Sequence, residues 1–430
     1  MRSILLIPTF FISVVATNNN NIFNPLNYGA KGDGVHDDTI PIRQALVDLE
    51  KNQGGILLFE SSYVFLTGPF NLSSNTIVDI QGIVRASNDS TVYPLVQPLP
   101  WFNGGPDAEG SGQPEHSPVF YSYNTINITL TSSTATGQID GNGLAWWECF
   151  NSTPPLAPFP CNNYSRPQLI RPYNVQNFTL TNLNIYNSAS WTIHLANVTN
   201  AYLSNFSVRA PANRGNTDGV DIDCSSNVVV EDYVYAGGDD AIAVKSGLYP
   251  WSKYGRPTSD VLAQRITVYS GNGISIGSEM DAGVNNVTFL NTTTDCDPNN
   301  LSHGCKHGLY IKCRPERGGY VTNVSFINSY VSGCYEFGHG ITMNYPDTVP
   351  GNHSGVVPTV GNIYIKNTTI VNSHTGFSLE GLNTSIIYNF TIDDVTLGQN
   401  IPISNDCKYI QGQCAPDVPA NLCPPCFTHE

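Results

Sequence analysis

The sequence predicts an all-β chain, a right-handed single-stranded parallel β-helix capped at its amino end by one helix. Three observations carry this. Short strand-like segments return at a regular interval, each alternates apolar and polar residues, and a single stretch has helical periodicity.

In chain order, residues 1–16 (MRSILLIPTFFISVVA) place one Arg before an apolar run that closes on small residues. That is the pattern of a secretory signal peptide cleaved near Ala16–Thr17, and the run is too short to span a bilayer. Within Tyr28–Gly55, Ile40, Ile42, Ala45, Leu46 and Leu49 form the apolar face of a helix, with Asp37 or Asp38 placed to cap it. Such a helix covers the open end of a solenoid. The Asp37-Asp38 pair is thus read as structural.

The repeat segments begin at Asn177, Tyr202, Asn227, Val261, Asn285, Thr322, Asn362 and Ile387. The first three starts are 25 residues apart, and later intervals stretch to 40 by insertion. A propeller blade needs about 40–45 residues, too many for the base unit, whereas three short strands per coil fit it. Asn-rich turns suit stacked ladders. Residues 17–400 are assigned to the β-helix and the Cys/Pro-rich 401–430 to a tail.

Among eleven cysteines, the close pairs Cys149/Cys161, Cys296/Cys305, Cys407/Cys414 and Cys423/Cys426 predict local disulfides. No Cys or His spacing matches a zinc site, and no cofactor is called for. Sequons at Asn71, Asn127, Asn177, Asn197, Asn286, Asn323 and Asn389 predict some glycosylation in a secreted, extracellular glycoprotein. A net charge of −15 disfavours nucleic acid. No later segment looks transmembrane, and a monomer is expected. An anionic ligand would need a local cationic patch, which "KHGLYIKCRPER" (Lys306–Arg317) supplies.

The chemistry centres on "YAGGDDAIAVKSG" (Tyr235–Gly247), where Asp239 and Asp240 stand side by side at the start of an apolar strand. Upstream, "NTDG" supplies Asn216 and Asp218. Asp218 precedes the pair by 21 and 22 residues, close to one coil, so it belongs at strand spacing, about 4.8 Å, from them. Three carboxylates in one patch leave two readings, calcium binding or paired acid/base work, and mutual repulsion raises one pKa to make a proton donor.

In their order, "NTDG", "GGDDAIAVKSG", "GNGISIGSEM" and "YIKCRPERGG" resemble the motifs of the polygalacturonases of glycoside hydrolase family 28. The likeness runs from about Tyr28 to Gly398, and the insert "LYPWSKYGRPT" after "KSG" looks most like exo-acting members. The resemblance implies inverting hydrolysis of α-1,4-galacturonosyl linkages in pectin. Asp239 would be the general acid, Asp218 and Asp240 would activate water, and Lys245 and Lys312 would bind the substrate carboxylate. Asn216, Asn272 and Tyr310 complete the substrate-binding set, with no metal. The chain departs from the family pattern twice, with Asn272 where His is usual and Tyr310 where Arg is usual. Arg314 or Arg317 would have to replace that Arg. His339, in a second "GHG", is placed three coils away as a structural or remote residue. Trp146 and Trp147 are read as core or sugar-stacking residues, Trp191 as core, and Tyr249, Trp251 and Tyr254 as closing one end of the groove. The rival readings are a calcium-dependent lyase, a non-catalytic pectin-binding β-helix, and a hydrolase of another pectic polymer such as rhamnogalacturonan.

Overall fold

A computed structural model describes residues 21–151, 164–297, 304–346 and 356–429. The expected leader at 1–16 and Cys161 lie outside the described residues. The chain winds as a right-handed parallel β-helix. Each of the eight repeat segments pairs in parallel with the next, through the stack Phe178, Ala201, Val228, Val261, Val287, Val324, Ile363 and Phe390. Every second residue of these strands faces inward, so successive coils stack apolar side chains into one continuous core.

A second column forms the face that carries the site. Its strands are β1 (Ile193–Ala196), β2 (Val220–Asp223), β3 (Asp240–Lys245), β4 (Gly273–Ile276), β5 (Cys305–Lys312), β6 (Cys334–Thr342) and β7 (Phe377–Glu380), each parallel to the next. Helix α1 (Thr39–Lys51) covers the amino end and buries Ile42, Ala45, Leu46 and Leu49. Ile40, expected on that face, is 78% exposed, because the first helical turn points it to solvent. The Asp37-Asp38 pair is structural as expected. Asp38 accepts from the backbone N–H groups of Lys31 and Gly32, and Asp37 from that of Thr39.

Asparagine ladders lock the coils in register. The Nδ2 of Asn127, Asn177, Asn200 and Asn227 each donates to the Oδ1 of the Asn one coil earlier, starting at Asn75. All five have φ between 55° and 64°, a left-handed bend that Asn tolerates because its short amide bonds locally. The sequon asparagines 127, 177, 197, 286, 323 and 389 all sit at such bends with Nδ2 donated to a neighbouring coil. An Asn at the bend followed by a β-branched strand residue thus produces the sequon pattern by itself. Asn71 is exposed within a strand instead.

Cys296–Cys305 is bonded as expected, and Cys149 is disulfide-bonded. The two carboxy-terminal pairings differ from expectation: Cys407 bonds Cys426 and Cys414 bonds Cys423. Cys407 and Cys414 lie on strands that pair with different columns, so nearness in sequence does not bring them together. The chain's return at Thr428–His429, against Gln413–Cys414, nests the bridges instead. Cys224, Cys313 and Cys334 are buried free thiols.

Candidate active site

Strand alternation fixes which side chains leave the core. Val220, Ile222, Ile242, Val244, Ile274, Ile276, Leu309 and Ile311 point inward. Asp221, Asp223, Ala243, Lys245, Ser275, Tyr310 and Lys312 therefore line the opposite face. Register places Asp221, Ala243, Ser275 and Tyr310 in one row, and Asp223 beside Lys245 in the next. The bends leading into β2, β3 and β4 carry Asn216–Asp218, Gly237–Asp239 and Gly271–Asn272. Gly238 is needed for close approach: a Cβ there would meet the Arg214 carbonyl oxygen at 2.2 Å.

The expected one-coil relation between Asp218 and the Asp239-Asp240 pair is present, and one oxygen from each of the three lies within 4.8 Å of the others. Their surroundings differ. Asp239 Oδ2 accepts the Asn216 N–H at 2.9 Å, and Oδ1 accepts Asp240 N–H at 3.0 Å and Asn272 Nδ2 at 2.7 Å. Asp240 accepts Ser275 Oγ and Lys312 Nζ, both at 2.7 Å. Asp218 Oδ1 has no partner. Asp218 and Asp240 are buried, while Asp239 is half-buried at the rim. Burial, then the charges of Asp239 and Asp221, pushes the Asp218 carboxyl well up. Burial and Asp240 likewise raise Asp239, against Lys312 and the Asn216 N–H.

Both inner lysines are engaged. Lys245 Nζ is 2.8 Å from Glu279 Oε2, 3.6 Å from Asp221 Oδ1 and 4.4 Å from the Trp191 ring centre. Burial opposes ionisation of Glu279, but Lys245 and Arg317 outweigh it and hold that carboxyl well below the usual range. Arg317 is buried and donates to the Ser278 carbonyl oxygen at 3.3 Å. Tyr310 is half-buried and packs on His307 and Phe337, with ring centres 4.7 and 4.9 Å away. His339 is three coils from Asp240 as expected. It is an interior residue, 2.9 Å from Thr368 Oγ1, and burial pushes it down to about 3. Trp146 is core, against Tyr93 and His116, and Trp147 is buried with Arg214 over its ring.

Several functional neighbours were not expected from sequence. Residues 99–115 fold over the amino-side end of the face. Trp101 Nε1 donates to Asp223 Oδ2 at 2.5 Å, and His194 contacts the same oxygen at 3.1 Å. Trp101, Phe102, Trp191, Ala196 and Leu248 pack together there, with Trp251 of the insert against them. Arg166 ties the same segment to the motif turn by pairing with Asp107 and donating to Asn216 Oδ1. Nothing in the spacing marks residues 99–115, because the segment has no repeat pattern. Glu279 and Asp221 carried a signal: Glu279 lies in the quoted motif GNGISIGSEM, in the bend after β4, and Asp221 follows NTDG on a strand whose alternate residues are apolar.

A calcium ion would need the lone pairs of the three aspartates. At Asp239 and Asp240 five N–H and O–H donors, one of them an ammonium, occupy most of these, so the donor set fits a cation poorly. What the cluster offers is one rim carboxyl and two deep ones with an oxygen of each within 4.8 Å of the others, titratable groups of the kind that acid/base chemistry uses.

A polygalacturonase of Malus domestica is 29% identical over 310 residues, 70% of this chain and 58% of that protein. A probable polygalacturonase of Vitis vinifera is 27% identical over 383 residues, 86% of this chain and 73% of that protein. An exopolygalacturonase structure from Thermotoga maritima shares the fold, with a TM-score of 0.80 at 24% identity over 96% of this chain and 92% of that one. The family model for glycosyl hydrolases family 28 matches residues 60–416, which contain the strands β1–β7 and every acid of the site. The chain belongs to that family and is a glycoside hydrolase.

Proposed function

We propose that the protein hydrolyses α-1,4-galacturonosyl linkages of pectin, removing sugars from a chain end. The observation that carries the hydrolysis is the Asp218–Asp239–Asp240 cluster, with its rim and deep members. Asp239 Oδ2 keeps a free lone pair beside its single N–H partner, so a proton there faces the groove and passes to the leaving oxygen. Asp218 and Asp240 hold the attacking water between them, and Lys312 neutralises charge on Asp240. Each lysine donates only part of its three protons to protein carboxylates, leaving Lys245 and Lys312 able to hold the sugar's carboxylate.

The exo reading is supported by the wall of residues 99–115 and the Leu248–Trp251 insert, which covers β1 and the Asp223 end of β2. The protein acts as a monomer without metal. Residues 1–16 direct export to the cell wall or medium, and residues 17–400 are the catalytic β-helix. Among the described residues no helix is long and apolar enough to cross a membrane.

The test is product analysis of a polygalacturonate digest beside the Asp239→Asn variant. Monomer from the wild type and none from the variant supports the proposal. An untouched polymer that is nevertheless bound supports a non-catalytic pectin-binding β-helix, and activity confined to another pectic polymer shifts the substrate.

A further inference from the structure

Arg166 precedes the strand Ile170–Thr181, yet its side chain reaches the bend that holds the rim acid. It is buried, and a buried guanidinium is tolerated only where its N–H groups find acceptors. All five do. Nε and one Nη2 proton bond the two Asp107 oxygens at 3.0 and 2.7 Å. The other Nη2 proton goes to Asn216 Oδ1 at 3.1 Å, and Nη1 donates to the carbonyl oxygens of Ala189 and Gly215 at 3.0 and 3.4 Å. The planar fork thus joins three pieces of chain: the wall, the bend into β1 and the bend into β2.

The Gly215 carbonyl oxygen and the Asn216 N–H belong to one peptide group, and that N–H bonds Asp239 Oδ2 at 2.9 Å. Arg166 therefore grips one end of the peptide whose other end touches the acid. On the carboxy side the bend is already fixed, because Thr217 Oγ1 donates to the Arg214 carbonyl oxygen at 2.7 Å and accepts the Gly238 N–H at 2.9 Å. On the amino side it stands free: Gly215 is exposed, and a Cβ there would meet nothing within 4 Å. Asn216 itself sits at φ 58°, a left-handed conformation that persists where surrounding contacts hold it. Arg166 supplies those contacts on the open side.

We propose that Arg166 is a positioning residue for the rim acid, clamping the Gly215–Asn216 peptide so that its N–H meets Asp239 while Asp107 of the wall is seated. Through that peptide the closed end of the groove acts on the group that gives the proton. The inference rests on the galacturonan-hydrolase reading, in which Asp239 is the general acid. A bond from N–H favours the ionised carboxyl over the acid, so a loosened peptide raises the Asp239 pKa. Activity is lost as pH rises through that pKa, so the alkaline limb of the profile moves up. Asp239 also faces Asp218, Asp240, Lys245, Lys312, Tyr235 and Tyr345, and the variants used as the test leave those six groups in place.

The experiment measures kcat against pH on polygalacturonate for the full-length wild type and three variants, with Tm recorded for each. Arg166→Lys keeps the charge and loses the fork, so a shift in this variant does not come from a changed field. Asn216→Gly keeps the N–H and accepts the left-handed bend, but has no Oδ1 for Arg166 to hold. In both, the alkaline limb should move up by about one pH unit, the size of one lost bond to a charged acceptor. Combining them should move it no further than either alone, because both break one contact. Asp107→Asn loosens the wall's grip on Arg166 and should also move the limb up. The direct effect of its lost charge has the opposite sign, since removing an anion lowers a neighbouring carboxyl. Should Arg166→Lys fail to fold, Asn216→Gly and Asp107→Asn decide by the same limb. A limb that stays in place while Tm falls makes Arg166 a structural residue only and overturns the proposal, as do additive shifts in the double variant. Both leave the hydrolase reading standing. A wild type that hydrolyses no galacturonan overturns that reading and the proposal with it.

Discussion

Lys312 Nζ lies 2.7 Å from Asp240 Oδ2, although 72 residues and a whole intervening strand separate them. Both side chains are buried, at 9% and 2% exposure. Removing one partner of such a pair strands the other charge in a poor solvent. Lys312→Met should therefore lose about 3–5 kcal/mol of unfolding free energy by urea titration, and kcat should fall at least tenfold. Lys312→Arg should restore much of the stability.

Asn272 donates to the Asp239 carboxylate at 2.7 Å, a bond worth more to the ionised form than to the acid. Asp239 works as an acid only when protonated, so activity is lost as pH rises through its pKa. Burial already raises that value, and Asn272→Ala raises it further. The alkaline limb of the kcat–pH profile should move up in the variant, with a lower plateau. A limb moving down would remove Asp239 from the acid's role.

One oxygen of each aspartate lies within 4.8 Å of the others, nearer the spacing of retaining glycosidases than the roughly 6.5–9.5 Å of two-carboxylate inverting ones. The third acid changes the comparison, since in the proposed mechanism Asp218 and Asp240 hold water beside Asp239 without a wide gap between two groups. The first-formed product by proton NMR should be the β-anomer. An α-anomer at early times would make one deep aspartate a nucleophile.

Trp101 joins the wall to Asp223 by a 2.5 Å hydrogen bond and to Leu248 through its carbonyl. Trp101→Ala should loosen the closed end, so that oligomers appear beside monomer in the digest. A monomer-only digest from this variant would mean that the wall is held by other contacts.

Because five hydrogen-bond donors, one of them the Lys312 ammonium, already occupy Asp239 and Asp240, EDTA treatment should leave kcat unchanged, and no unsaturated uronate should form. Activity that disappears with EDTA and returns with calcium would favour the lyase.

The coils were legible in sequence because strand alternation and Asn bends are local properties, repeated often enough to reveal a period. That period alone places Asp218 beside Asp239 and Asp240. The wall was not legible: Trp101 reaches Asp223 across 122 positions, and no local pattern encodes such a contact. The carboxy-terminal disulfides failed for the same reason, since Cys407 meets Cys426 only after the last coil turns back. Tyr310 and Asn272 read as losses in a motif, yet one builds an aromatic wall with His307 and Phe337 and the other bonds the rim acid directly.

In the proposed exo action, the anchored segment over β1 and β2 leaves the site one door. A sugar cut off at the closed end sits behind the polymer that delivered it, and cannot leave until that polymer withdraws. Each turnover then ends in full release, so the enzyme cannot walk along a strand, and crowded chain ends set its pace more than chain length does.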